Sequence, residues 1–77
     1  MTRKKLKAIA LKAIKDGPVA LHDEEGNMYF GYVMSFREGT KHCLCTVDKD
    51  IAELNGSTVG FMITEAIVYL KDMGLAP

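Results

Sequence analysis

The stretch Ser57-Thr58-Val59-Gly60-Phe61-Met62-Ile63-Thr64-Glu65-Ala66-Ile67-Val68-Tyr69-Leu70 admits two foldings, and the choice between them decides the architecture. Read with a helical period, Val59, Met62, Ile63, Ala66, Ile67 and Leu70 share one face behind a Ser57/Thr58 cap. Read as extended chain, the same stretch is a pair of strands, Thr58 to Ile63 and Ala66 to Leu70, broken at Thr64-Glu65. Val59, Phe61, Ile63, Ile67, Val68 and Tyr69 are β-branched or aromatic, and Gly60 weakens a helix, so residue type favours the strands. The expectation is a mainly β domain with an N-terminal helix, its strongly bent antiparallel sheet of five strands closing into a small barrel. The alternative is an α+β fold with a C-terminal helix packed on a three-stranded meander.

Working back along the chain, Asp48 is placed to cap one helical turn through Ile51 and Leu54, closed by Asn55-Gly56. Lys41 to Val47 reads as a strand, joined through the turn Glu38-Gly39-Thr40 to a longer one from Met28 to about Arg37. That longer strand puts Met28, Phe30, Tyr32, Met34 and Phe36 on one face and Tyr29, Gly31, Val33 and Ser35 on the other. Gly31 in its interior marks a bend or a close backbone approach. A long strand bent there can serve two edges of one small barrel. Val19 to His22 is a short first strand, and Asp23-Glu24-Glu25-Gly26-Asn27 is the turn after it.

At the N-terminus, Leu6, Ile9, Ala10, Ala13 and Ile14 form the apolar stripe of an amphipathic helix, with Thr2 as N-cap and Asp16-Gly17-Pro18 as its end. The domain organisation is one unit over 1–77, with the basic helix at 1–16 and the barrel at 18–71. A chain of 77 residues leaves no room for a second core. With 48% of its residues apolar it carries more greasy surface than so small a monomer hides, which points to a homo-oligomer.

Net charge is zero, but Arg3, Lys4, Lys5, Lys7, Lys12 and Lys15 all precede position 16 while all ten acidic residues come from there onward. The remainder holds four basic residues against ten acidic, a net of −6. This segregation points to a polyanionic partner. Arg3, Lys4 and Lys5 sit at the positive end of the helix dipole, where a cation costs about 0.3–1 kcal/mol. A phosphate backbone would offset that cost, and a solvated basic face is the plainer reading of the same residues. Two cysteines one residue apart fit a reducing compartment better than a disulfide framework. No signal peptide or membrane span is read, so the expected location is the cytoplasm.

Helix, Val-x-Leu, turn, then Gly-x-x-Tyr-x-Gly-x-Val-x-x-Phe and three short strands is the order of Sm-like proteins. The chain resembles that family at Val19, Leu21, Gly26, Tyr29, Gly31, Val33 and Phe36, and again at Ile63 and Ile67-Val68-Tyr69-Leu70. The resemblance implies a barrel whose subunits pair by strand edges into a ring that binds single-stranded RNA. Val59, Phe61, Ile63, Ile67 and Tyr69 would then form the oligomer interface. The family's RNA-reading residues are not matched. Arg37 and Lys41 stand where it has aspartate and asparagine, and Thr64-Glu65 replaces its arginine-glycine pair.

Few residues suggest chemistry. Lys41-His42-Cys43-Leu44-Cys45 holds zinc-type ligands, but in a strand His42 points away from the two cysteines, and no further cysteine completes a site. His22 and His42 have no serine and carboxylate gathered around them in the sequence, and no glycine-rich phosphate loop occurs. The expected function is therefore that of a non-enzymatic, cofactor-free, metal-free module. It would bind RNA through Arg3, Lys4, Lys5, Lys7, Arg37 and Lys41, with Tyr32 as a base-stacking ring. The alternative is a small regulatory or inhibitory protein that docks on an acidic protein partner.

Overall fold

The computed structural model describes residues 1–75. Its elements are α1 (Arg3–Asp16), β1 (Val19–His22), β2 (Met28–Glu38), β3 (Lys41–Asp48), α2 (Lys49–Leu54) and α3 (Thr58–Asp72). The barrel expected over 18–71 is absent. The sheet has three antiparallel strands in the order β1-β2-β3 and stays open, and the segment expected to give its last two strands is the single helix α3.

Burial explains the correction. The inner face of the sheet presents Tyr32, Met34 and Phe36 from β2 and Cys43, Cys45 and Val47 from β3, all buried. α1 contributes Leu6, Ala10 and Ala13 to this core, too narrow a stripe to cover it alone. As a helix, α3 adds Met62, Ile63, Ala66 and Leu70 on one side and keeps Thr64, Glu65 and Val68 in solvent. A β-branched or aromatic residue costs a helix under about 0.7 kcal/mol. Full burial of an Ile, Leu or Met side chain returns about 1.5–3 kcal/mol. Summed over the segment, packing of Met62, Ile63 and Leu70 offsets the propensity cost.

Both ends of α3 are closed. The Ser57 hydroxyl accepts from the Gly60 amide at 3.5 Å. At the other end the Leu75 amide donates to the Leu70 carbonyl at 2.7 Å and the Gly74 amide to that of Lys71 at 3.0 Å. This is a Schellman cap, and it needs the left-handed backbone that Gly74 supplies with φ 75°. Leu75 then folds back against the core.

The strands are staggered. β1 pairs with β2 from Val19↔Gly31 to His22↔Met28, and β3 pairs with it from Gly31↔Asp48 to Glu38↔Lys41. Gly31 alone has a partner on both sides. A Cβ there would lie 2.7 Å from the Val47 carbonyl oxygen and 3.0 Å from a Leu21 methyl, so only glycine lets the three strands meet. The sheet stays open past this point, and β1 packs on β2 without a helix against it.

Candidate nucleic-acid interface

α1 begins at a Thr2 cap whose hydroxyl accepts from the Lys5 amide at 3.2 Å. No acidic residue occupies its first turn, so Arg3, Lys4, Lys5 and Lys7 add their charge to the positive end of the helix dipole, and all four are exposed. The N-terminal ammonium lies 3.8 Å from the Glu38 carboxylate, which pins the start of α1 to the β2–β3 turn. Arg37 precedes Glu38 and Lys41 pairs with it across the turn, both exposed. One end of the molecule thus holds Arg3, Lys4, Lys5, Lys7 and Lys41, with Arg37 at the same end on the outer sheet face, and the Glu38 carboxylate there is matched by the ammonium.

The opposite end is acidic. Asp23, Glu24 and Glu25 form the β1–β2 turn, and Asp48, Asp50 and Glu53 belong to the cap and body of α2. A notch of about 400 Å³ joins them, lined by Asp23, Asn27, Met28, Tyr29, Thr46 and Asp48. It opens where β2 runs past the end of β3. Its two carboxylates are already engaged. Asp23 accepts from the Asn27 amide at 2.8 Å and the Glu25 amide at 2.9 Å, and Asp48 accepts from the amides of Asp50 and Ile51 at 2.8 and 3.1 Å. The Asn27 amide above all holds the Asp23 carboxyl below its ordinary value, helped by the Asn27 side chain. The poles are separated by nearly the length of β2, and the largest extent of the molecule is 32 Å.

The structure corrects two groups of expected site residues. Tyr32 is 6% exposed and packs in the core, so it offers no ring for a base to stack on. Val59, Phe61, Ile63, Ile67 and Tyr69 were expected on strand edges and lie instead on α3. Ile63 is buried, and the other four are half-buried against the core. Tyr69 stacks obliquely on Phe36, with ring centroids 6.3 Å apart. The strand-edge interface disappears with the strands.

The cysteines point inward from β3 and both thiols are free. Burial, and secondarily the charge of Glu65, pushes the Cys45 thiol up to about 11. Among the described residues no three of the His, Cys, Asp and Glu side chains converge as a metal site. One polar contact escaped sequence reasoning: Ser35 Oγ and His42 Nε2 lie 2.6 Å apart on the outer sheet face. They are diagonal neighbours across β2 and β3, a relation visible only once the Glu38–Lys41 turn fixes the register. Directly opposite His42 stands Arg37, a cation in the place where a catalytic triad would need a carboxylate.

No family model, curated protein or solved structure matches the chain. Among the described residues no helix is long and apolar enough to cross a membrane.

Proposed function

We propose that this protein is a non-catalytic cytoplasmic module that binds single-stranded RNA through its basic pole. What supports the reading is one juxtaposition. The contact between Met1 and Glu38 holds the start of α1, with Arg3, Lys4, Lys5 and Lys7, at the strand end that carries Arg37 and Lys41, thirty or more residues away in sequence, with Arg37 on the outer face of the sheet. Cations drawn from two separate elements and aligned with a helix dipole make a compact field for phosphates. With Tyr32 in the core, recognition rests on the backbone of the RNA and carries little base preference.

The test is the salt dependence of oligo(U) binding by fluorescence anisotropy. Neutralising four to six phosphates gives a log–log slope of about −3 to −4. Arg37→Glu with Lys41→Glu, which leaves α1 untouched, lowers both affinity and slope if the pole acts as one surface. Flat salt dependence, or binding unchanged by that double variant, defeats the reading. Failure on oligo(U) together with binding to polyglutamate assigns the pole to an acidic protein partner.

A further inference from the structure

At the acidic pole the sheet and α2 leave large apolar side chains in solvent: Met28 at 60% exposure, Phe30 at 53%, Ile51 at 49% and Leu54 at 84%. Met28 and Phe30 sit on the same face of β2 as the core residues Tyr32 and Met34, but beyond the reach of the helices. α2 packs against that strand through buried Ala52, which brings Ile51 and Leu54 to the same end. Exposed Glu24, Glu25 and Asp50 belong to the same end, where Glu53 is paired with Lys49 at 3.7 Å. A lone exposed leucine is ordinary, but four large apolar side chains with carboxylates at the same end mark a contact surface.

The matching surface is on the same chain. Lys4, Lys7, Leu11 and Lys15 fall along one stripe of α1, facing away from buried Leu6, Ala10 and Ala13. Leu11, 48% exposed, lies at the centre of that stripe. An apolar centre flanked by cations is complementary to an apolar centre flanked by carboxylates. A chain cannot satisfy itself, because its own helix is held by the core with the stripe turned outward and begins at the far pole.

We propose that the acidic pole receives the Lys4–Lys15 face of α1 from a second copy of this chain, so that copies associate head to tail. The two surfaces differ, so the contact is heterologous, and it propagates into a ring or an open filament. Charges at the rim set its encounter rate and its sensitivity to salt. The proposal goes beyond RNA binding and does not depend on it. Lys4 and Lys7 belong to both surfaces, whereas Leu11 and Lys15 lie outside the basic pole.

Sedimentation velocity of the full chain at low ionic strength tests it. The wild type is expected to sediment faster with rising concentration, through dimer to larger species, and to return to monomer at about 0.5 M salt, where the screening length falls to a few ångströms. L11E with K15E, and separately E24K with E25K, should each remain monomeric, with affinity weakened at least about tenfold. Mixed one to one, these two variants should form a dimer that grows no further, since each keeps one intact surface. That rescue also shows both variants folded. A wild type that stays monomeric at low salt, assembly that survives either double variant, or a mixture that remains monomeric would each overturn the proposal. Retention of oligo(U) binding by L11E with K15E separates its failure from that of the RNA reading.

Discussion

Residues 32–36 and residues 28–30 belong to one strand and carry one alternation, yet the first group is core and the second is surface. Tyr32, Met34 and Phe36 are at most 6% exposed, while Met28 and Phe30 on the same face are more than half exposed. Alternation decides which face a side chain takes, and the length of the covering layer decides whether that face is buried. α1 and α3 cover β2 only as far as β3 accompanies it. Past Gly31 the pattern continues beyond the two long helices, with only the short α2 beside it. Large apolar residues retained where they contribute no core are the strongest physical reason to look for a partner at that end.

The comparison is broken most directly by truncating the two phenylalanines. Phe36→Ala should cost about 3–5 kcal/mol, enough to unfold much of a domain this small, whereas Phe30→Ala should stay within about 0.5 kcal/mol. Urea denaturation followed by circular dichroism reads both at a concentration low enough to keep the chain monomeric. Equal losses would mean that the hairpin end is covered in solution.

Gly31 is the boundary between the two halves of β2, and its replacement sharpens the comparison. Gly31→Ala places a methyl 2.7 Å from the Val47 carbonyl oxygen, a backbone atom that cannot move without disturbing the β2–β3 pairing. The expected loss is about 1–3 kcal/mol, measured by the same denaturation. A neutral result would show that the β2–β3 pairing yields at that point.

A smaller effect comes from the covered half alone. The Cys45 thiol is raised to about 11 in the folded protein against an ordinary value of 9.0, with desolvation the main cause. The neutral thiol is favoured in the fold, so the unfolded chain binds fewer protons as pH passes 9.0 and stability declines from there towards about 11. Thermal melts between pH 8 and 11 should fall less steeply for Cys45→Ala than for the wild type, once each is normalised to its value at pH 8. In the native state at pH 8 neither buried cysteine should react with a thiol reagent faster than the protein unfolds.

Much of this arrangement is legible locally. Thr2, Asp16-Gly17-Pro18 and the apolar stripe between them delimit α1, and the turns at 23–27 and 38–41 place the three strands. Gly31 stands out as a close approach. The basic pole is half visible: the charge of residues 3–15 is plain, but the arrival of Arg37 and Lys41 beside it depends on a contact between residues 1 and 38. Burial of Tyr32 is invisible until the covered face is known. The segment from 57 to 73 misleads because β-branched residues weigh against a helix by tenths of a kilocalorie, while the uncovered sheet needs kilocalories of apolar surface. The signal that would have corrected it lies just beyond, in Met73-Gly74-Leu75, where glycine after the last helical turn and an apolar residue after that spell a helix end.

Gly60→Ala gives the smallest effect and decides between the two readings of that segment. Gly60 lies in the first turn of α3, its φ is not in the left-handed range, and a Cβ there would meet only Ser57 atoms, at an ordinary 3.8 Å. In a helix, alanine removes the entropic cost of glycine with no clash, and stability should rise by about 0.5–1 kcal/mol. In an edge strand, alanine has no helical preference to contribute, and it would crowd any backbone that glycine lets come close. A rise in the denaturation midpoint with unchanged m-value supports the helix, and a fall returns the segment to extended chain.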